Sequence, residues 1–191
     1  MKVFLLDNYD SFTYMLKDNI EQCGVECEVK RNDDQTINEN SLNSYDAIIL
    51  SPGPKTPKES GCLMNIISFY HQRKPILGVC LGHQGIGEFF GAKLSKSSIP
   101  MHGKVDQIIH NGHQLFQNIE KGNDVTRYHS LLLEEIKQEL EVIAWNSNNE
   151  VMAIAHKILP VYGIQFHPES YLTKNGLTLI KNFLNLSKQL A

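Results

Sequence analysis

The segment Lys74–Leu94, KPILGVCLGHQGIGEFFGAKL, constrains the fold more than any other part of the chain. An apolar run, Pro75-Ile76-Leu77, leads into Gly78-Val79-Cys80-Leu81-Gly82 and then into an amphipathic stretch, His83 to Phe90. This succession reads as a buried strand, a tight corner and a helix, with a cysteine at the corner. Glycines two residues before and two after Cys80 let the strand and helix backbones approach where a side chain would clash. Such a corner pushes Sγ beyond the end of the sheet, beside the unpaired N–H groups of the helix's first turn. Those groups and the helix dipole favour the thiolate. A buried core cysteine at an ordinary strand–helix junction has the same pattern, so Cys80 is a candidate nucleophile on this signal alone. Gly85 and Gly87 also fall inside the expected helix. Each should weaken it by roughly 1 kcal/mol relative to alanine, with no compensating role legible.

Upstream, Lys2–Asp7 reads as a buried strand and Asp7–Ser11 as a turn. Asp10 or Ser11 can cap a helix from Phe12 to about Gln22, stopped at Gly24. Val25–Arg31 is a second strand, Asp34–Asn43 a polar stretch with one short helix, and Asp46–Leu50 a third strand ended by Ser51-Pro52-Gly53-Pro54. A helix from about Ser60 to Gln72 returns to the Cys80 strand. Strand–helix alternation with continuously apolar strands implies a mostly parallel sheet covered on both faces. Functional groups in such sheets gather beyond the strands' carboxyl ends, which brings Asp7–Ser11, Ser51–Pro54 and Cys80 to one edge.

From Ala92 the rhythm changes. Short strand-like runs follow at Lys104–His110, Asp124–Leu131, Leu140–Trp145, Val151–His156 and Val161–Phe166, so antiparallel additions make the sheet mixed overall. Asn175–Leu190 closes the chain as an amphipathic helix. With 191 residues, no repeat and no linker, residues 1–191 are expected to form a single α/β domain. The net charge of −3 argues against a nucleic-acid footprint. No apolar run reaches membrane-spanning length, the N-terminus turns acidic too early for a signal peptide, and Cys23, Cys27, Cys62 and Cys80 form no framework. Free thiols in the cytoplasm are therefore expected.

The informative late stretch is Tyr162–Ser170, YGIQFHPES. Pro168 biases His167 toward extended angles, and in an extended chain residues two apart share a face, so His167 and Glu169 can sit side by side. A carboxylate on one ring nitrogen leaves the other for a thiol. By itself the pair reads first as a strand-end turn with a solvated His and Glu. Its meaning changes once Cys80 arrives at the same sheet edge, because thiol, imidazole and carboxylate are the parts for thioester chemistry. A tetrahedral oxyanion then needs donors, for which the N–H groups of Leu81 and Gly53 are the candidates. His110-Asn111-Gly112-His113 has a short spacing, but Asn-Gly reads as a hairpin turn and no acid or cysteine completes a metal-ligand set.

Four motifs, Ser51–Pro54, Gly78–Gln84, Arg127–Leu131 and Gln165–Ser170, together resemble the class I (triad) glutamine amidotransferases over essentially the whole chain. Asp7–Thr13, Met101–Lys104, His83 and Ser170 narrow the resemblance to the small subunits of anthranilate synthase and aminodeoxychorismate synthase. The resemblance implies Cys80 as nucleophile, His167 as base and later acid, and Glu169 as the orienting carboxylate. It places Gly53, Gln84, Ser130 and Leu131 around the substrate glutamine, mostly through backbone groups plus the Gln84 amide, and implies no cofactor. It further implies that ammonia passes by a protected route to a chorismate-binding partner subunit, with His102 and Lys104 on the partner-facing surface. Ammonia released to neutral water would become ammonium and lose its lone pair.

Where many of these relatives follow Ser-Pro-Gly-Pro with Gly or Cys, this chain has Lys55, whose side chain is expected to point to solvent. Arg31-Asn32-Asp33, Pro54–Pro57 and Val125-Thr126-Arg127 lean slightly toward the aminodeoxychorismate side, and some relatives serve both synthases. A stand-alone thiol hydrolase acting on γ-glutamyl or ester substrates would use the same Cys80–His167 pair. A non-catalytic subunit would normally lack a triad member.

Overall fold

The computed structural model describes residues 1–97 and 101–189. Its backbone is a nine-stranded sheet in the order β2-β1-β3-β4-β11-β10-β9-β6-β7. Five strands lie side by side and parallel: β2 (Glu26–Arg31), β1 (Lys2–Asp7), β3 (Ala47–Leu50), β4 (Ile76–Val79) and β11 (Val161–Ile164). The remaining four, β10 (Val151–His156), β9 (Leu140–Asn146), β6 (Lys104–His110) and β7 (Asn123–Arg127), continue antiparallel. Since antiparallel neighbours alternate, β9 and β7 again point with the parallel five, and the sheet is mixed but mostly unidirectional. The expected α/β architecture is observed. Apolar clusters cover both faces: Val3, Leu5, Ile49, Leu77 and Val79 face one, and Phe4, Leu6, Ile48, Leu50 and Ile76 the other. This two-sided burial is why the parallel strands read as continuous apolar runs.

The helices are α1 (Thr13–Gln22), α2 (Leu63–Tyr70), α3 (Leu81–Phe89) and α4 (Gly176–Lys188). No side chain caps α1. Asp10 instead accepts from the Phe12 N–H at 2.9 Å, one residue ahead of the helix. No helix forms over 34–43, whose polar residues make successive turns and Asx-type bonds such as Thr36 N–H to Asp34. Such local side-chain bonds compete with a helix ladder. The expected strand Asp124–Leu131 is two elements: β7 ends at Arg127, and β8 (Leu131–Glu134) leaves the main sheet to pair with β5 (Lys93–Lys96). His110–His113 is no two-residue hairpin. Gly112 turns at φ 93° into a short 3-10 helix, and β7 begins only at Asn123. The two histidines bond backbone there: His110 Nε2 donates to Ile119 O, and His113 Nδ1 accepts from Leu115 N–H. The expected end of the last helix, Leu190, lies outside the described residues.

What positions the corner at Cys80 is a set of glycines. Gly78 on β4 pairs in register with Gly163 on β11. A Cβ on Gly78 would lie 2.4 Å from the Gly82 carbonyl, and one on Gly82 would lie 2.5 Å from the Leu50 carbonyl oxygen of β3. The first turn of α3 therefore rests directly on the sheet backbone. Gly85 and Gly87, for which the sequence offered no compensation, turn out to have one. A Cβ at Gly87 would meet Leu133 of β8 at 2.2 Å, and one at Gly85 would meet Ile67 of α2 at 3.1 Å. Flanking elements pack against the bare helix backbone there, in exchange for lower helix propensity. Gly82→Ala is expected to lose about 1–3 kcal/mol in urea unfolding through overpacking against the Leu50 backbone. Helix propensity alone predicts a gain of about 1 kcal/mol, and a measured gain would contradict this packing.

Candidate functional site

The carboxyl ends of β1, β3, β4 and β11 are neighbours, so the segments that follow them meet at one edge. After β4, Cys80 takes φ 51° and ψ −97°, a left-handed conformation rare for a residue with a side chain. Such strain is of order 1–3 kcal/mol and persists only where the surroundings enforce it, here the α3–sheet approach. The thiol is buried at the start of α3, where first-turn N–H groups lack helical partners.

After β3, Ser51–Pro54 is locked to the loop after β1. Ser51 Oγ accepts from the Asn8 N–H at 2.9 Å, and the Asn8 amide donates to Ser51 O at 2.9 Å. Asn32, after β2, donates to Asn8 Oδ1 at 3.1 Å. A Cβ on Gly53 would lie 2.6 Å from Asn8 Cβ and 2.7 Å from Leu81 Cδ2, so only glycine lets this loop close on the corner. The two expected oxyanion donors, Gly53 and Leu81, are thereby held together.

After β11, Gln165 keeps strand pairing through its N–H to Met152 O, and the chain then crosses to β7, where His167 N–H donates to Thr126 O. Thr173 Oγ1 donates to His167 O at 2.6 Å and accepts from Thr126 N–H. Gly176 opens α4 against the Pro168 carbonyl, a position no Cβ could share. His167 Nδ1–H donates to Glu169 Oε1 at 2.6 Å with both residues buried. The other ring nitrogen, Nε2, is buried without a hydrogen bond of normal geometry among the described residues, and Cys80 is one of the groups that act on the ring. Burial disfavours a charged ring at His167. The Cys80 sulfur and the Glu169 carboxylate outweigh that and hold its pKa well above the usual imidazole value. Phe12 and Tyr128 wall the ring edge-on at 5.8 and 4.9 Å between centroids.

A pocket of about 150 Å³ opens on Cys80, lined by Gly53, Lys55, Gln84 and the segment Tyr128–Leu131. That lies below the usual range for drug-sized ligands and suits an amino-acid-sized molecule. Lys55 is exposed at the pocket rim, as expected, and takes φ 65°. A left-handed position is where glycine is free of strain.

Gln84 Nε2 donates to Leu131 O at 3.2 Å, and His129 Nδ1–H donates to the same oxygen. His129 Nε2 in turn accepts from Arg127 Nε at 3.0 Å. Arg127, fully buried, is neutralised by Asp106 and Glu150, both of which also accept from Asn146. Removing one partner of such a buried pair would leave an uncompensated charge. Burial, and then the Arg127 charge, lower the His129 pKa to about 3, so the ring is a neutral bridge between Arg127 and the pocket-lining carbonyl.

The site therefore brings together Cys80, His167, Glu169, Gly53, Leu81, Gln84, Ser130 and Leu131. Sequence reasoning missed the supporting roles of Arg127, His129, Gln165 and the Phe12–Tyr128 wall. An arginine between two β-type residues, Thr126 and Tyr128, was the available signal. Among the described residues no group of three or more His, Cys, Asp or Glu is placed to hold a metal ion. No helix among them is long and apolar enough to cross a membrane.

A buried cysteine thus stands on a strained strand–helix corner of an α/β protein, beside a histidine–carboxylate pair. The family is set by comparison: residues 4–186 match the model of glutamine amidotransferase class-I, and the chain belongs to that family. Anthranilate synthase component 2 of Thermus thermophilus is 45% identical over 187 residues, 96% of this chain and 92% of that one. Aminodeoxychorismate/anthranilate synthase component 2 of Bacillus subtilis is 41% identical over 184 residues, 95% of each. The bifunctional protein TrpGD of Thermotoga maritima is 42% identical over 97% of this chain, which spans 32% of its length. A glutamine amidotransferase structure from Thermotoga maritima shares the fold at TM-score 0.78 and 14% identity, covering 98% of this chain and 97% of the other.

His83, on the first turn of α3, is completely buried, and neither ring nitrogen makes a hydrogen bond of normal geometry among the described residues. The ring lies against Gly163, where a Cβ would sit 2.7 Å from Nδ1. Burial lowers its pKa to about 3. Above about pH 6.5 the ring is neutral whether the chain is folded or unfolded. Below that, the unfolded chain binds a proton that the folded one refuses until about pH 3. Stability falls with acid across this window. His83→Leu should make the fall, read by urea unfolding between about pH 6.5 and 4.5, shallower by about 1.4 kcal/mol per pH unit. Parallel profiles for the two proteins would contradict a neutral buried His83.

Proposed function

We propose that this chain is the glutaminase component of a chorismate-aminating synthase. The observation that carries it is the buried His167–Glu169 bond at 2.6 Å beside Cys80, which lines a pocket with Gly53, Gln84, Ser130 and Leu131. In this reading the Cys80 proton passes to His167 Nε2, and the thiolate attacks the carboxamide carbon of glutamine. The N–H groups of Leu81 and Gly53 receive the developing oxyanion, each worth roughly 2.7–4 kcal/mol of barrier. His167 returns the proton to the leaving nitrogen, ammonia departs, and a γ-glutamyl thioester remains on Cys80. His167 then takes a proton from water, hydroxide attacks the thioester, and glutamate leaves as the thiol is restored. The chemistry uses only side chains, backbone and water.

Ammonia holds its lone pair only if kept from bulk water, so the reading includes a docked, chorismate-binding subunit. The matched relatives are named for anthranilate synthase, for aminodeoxychorismate synthase or for both. Copurification with the synthase subunit, followed by identification of the aminated product, decides between the two. A glutaminase assay with and without that subunit separates this function from a self-sufficient thiol hydrolase.

Cys80→Ala is expected to abolish glutaminase activity in the complex while leaving the partner's synthesis from free ammonia intact. Continued turnover of glutamine would remove Cys80 from the mechanism. Glu169→Gln should keep the fold and slow thioester formation by about 10²–10⁴-fold, the range for a misdirected general base, in single-turnover kinetics. An undiminished rate would exclude Glu169.

A further inference from the structure

We propose that Gln165 is a further catalytic group of this site, whose side-chain N–H donates to the Cys80 sulfur and stabilises the thiolate. The inference rests on Cys80 being the nucleophile. Gln165 is completely buried on the residue after β11, and its Nε2 lies 3.7 Å from Cys80 Sγ, within reach of an N–H···S bond.

The two ends of an amide are told apart by their partners, and here the partners leave one solution. The Leu131 carbonyl can only accept, so the end of Gln84 that lies 3.2 Å from it is the NH₂ group. That same nitrogen lies 3.3 Å from the Gln165 amide, so the end of Gln165 facing it must be the oxygen. The nitrogen end of Gln165 is left pointing at sulfur. A run of three groups, Leu131 O, the Gln84 amide and the Gln165 amide, thus orients one donor onto the nucleophile from the wall of the glutamine pocket.

Such a donor has a physical task here. Cys27 shows what burial does to a thiol without such a donor: desolvation pushes it up to about 12. A thiolate formed out of reach of water has only fixed protein donors to replace the lost hydration. The proton goes to His167, and the negative sulfur left behind accepts from Gln165 and from the first turn of α3.

The test is the pH dependence of iodoacetamide alkylation at Cys80 on the full chain, read by mass spectrometry of the Cys80 peptide. It needs neither glutamine nor a partner. Gln165→Met keeps the length and removes the donor, and the alkylation midpoint should move up by about one pH unit, the worth of one hydrogen bond to a charged group. Gln165→Glu, a one-atom change, replaces the donor with an acceptor and should move it up at least as far. If the Met variant does not fold, as judged by circular dichroism, the Glu variant carries the test alone. A midpoint that stays with the unsubstituted chain in a folded variant overturns the proposal. A shifted midpoint, together with glutaminase activity that survives Cys80→Ala, would uphold Gln165 and refute the nucleophile, so the two failures are distinguishable.

Discussion

The close approach of one helix to one sheet is the constraint on which the rest of this molecule depends. Gly78, Gly82 and Gly163 remove the side chains that would hold α3 away, so its first turn rests on the backbones of β3 and β4 with the His83 ring filling the space over Gly163. The chain can make that descent only by turning sharply at Cys80, which is why a non-glycine residue sits at φ 51° there. Strain at one residue is held in place by close packing around it. The same turn points the thiol beyond the sheet edge, toward the segments that follow β1, β3 and β11.

Around that corner the polar groups form continuous, almost fully paired lines. Asn32, Asn8 and Ser51 tie three loops together and seat Gly53 against Leu81. Asp106 and Glu150 hold Arg127, Arg127 holds His129, and His129 with Gln84 holds the Leu131 carbonyl at the pocket. Low local dielectric makes such lines stiff when complete and damaging when broken. Distant strands β6 and β9 thereby fix the geometry of a pocket to which they contribute no lining residue.

Much of the sheet was legible because two-sided burial leaves unbroken apolar runs, as in Phe4–Leu6 and Ala47–Leu50. The Cys80 corner was legible because its glycines sit at fixed offsets from the cysteine, and His167 with Glu169 because Pro168 dictates an extended spacing. The antiparallel half was harder. Residues 124–131 read as one strand, yet the chain breaks at Tyr128–Ser130 to line the pocket, and β8 turns away to cover α3 at Gly87. That cover is a tertiary contact, invisible to helix propensity, and it reverses the meaning of a glycine judged from its own helix alone. Gln165 was hidden differently: its neighbours in sequence mark a strand, and its partners, Cys80 and Gln84, lie more than eighty residues away.

The central claim is that the sulfur at this corner forms a bond to substrate. Acid-quenching the complex during glutamine turnover and mapping the adduct by mass spectrometry tests it directly. The account predicts the mass of one glutamyl group on the peptide carrying Cys80, absent when glutamine is omitted. Turnover that leaves Cys80 unmodified while the adduct forms on Cys23, Cys27 or Cys62 would contradict it.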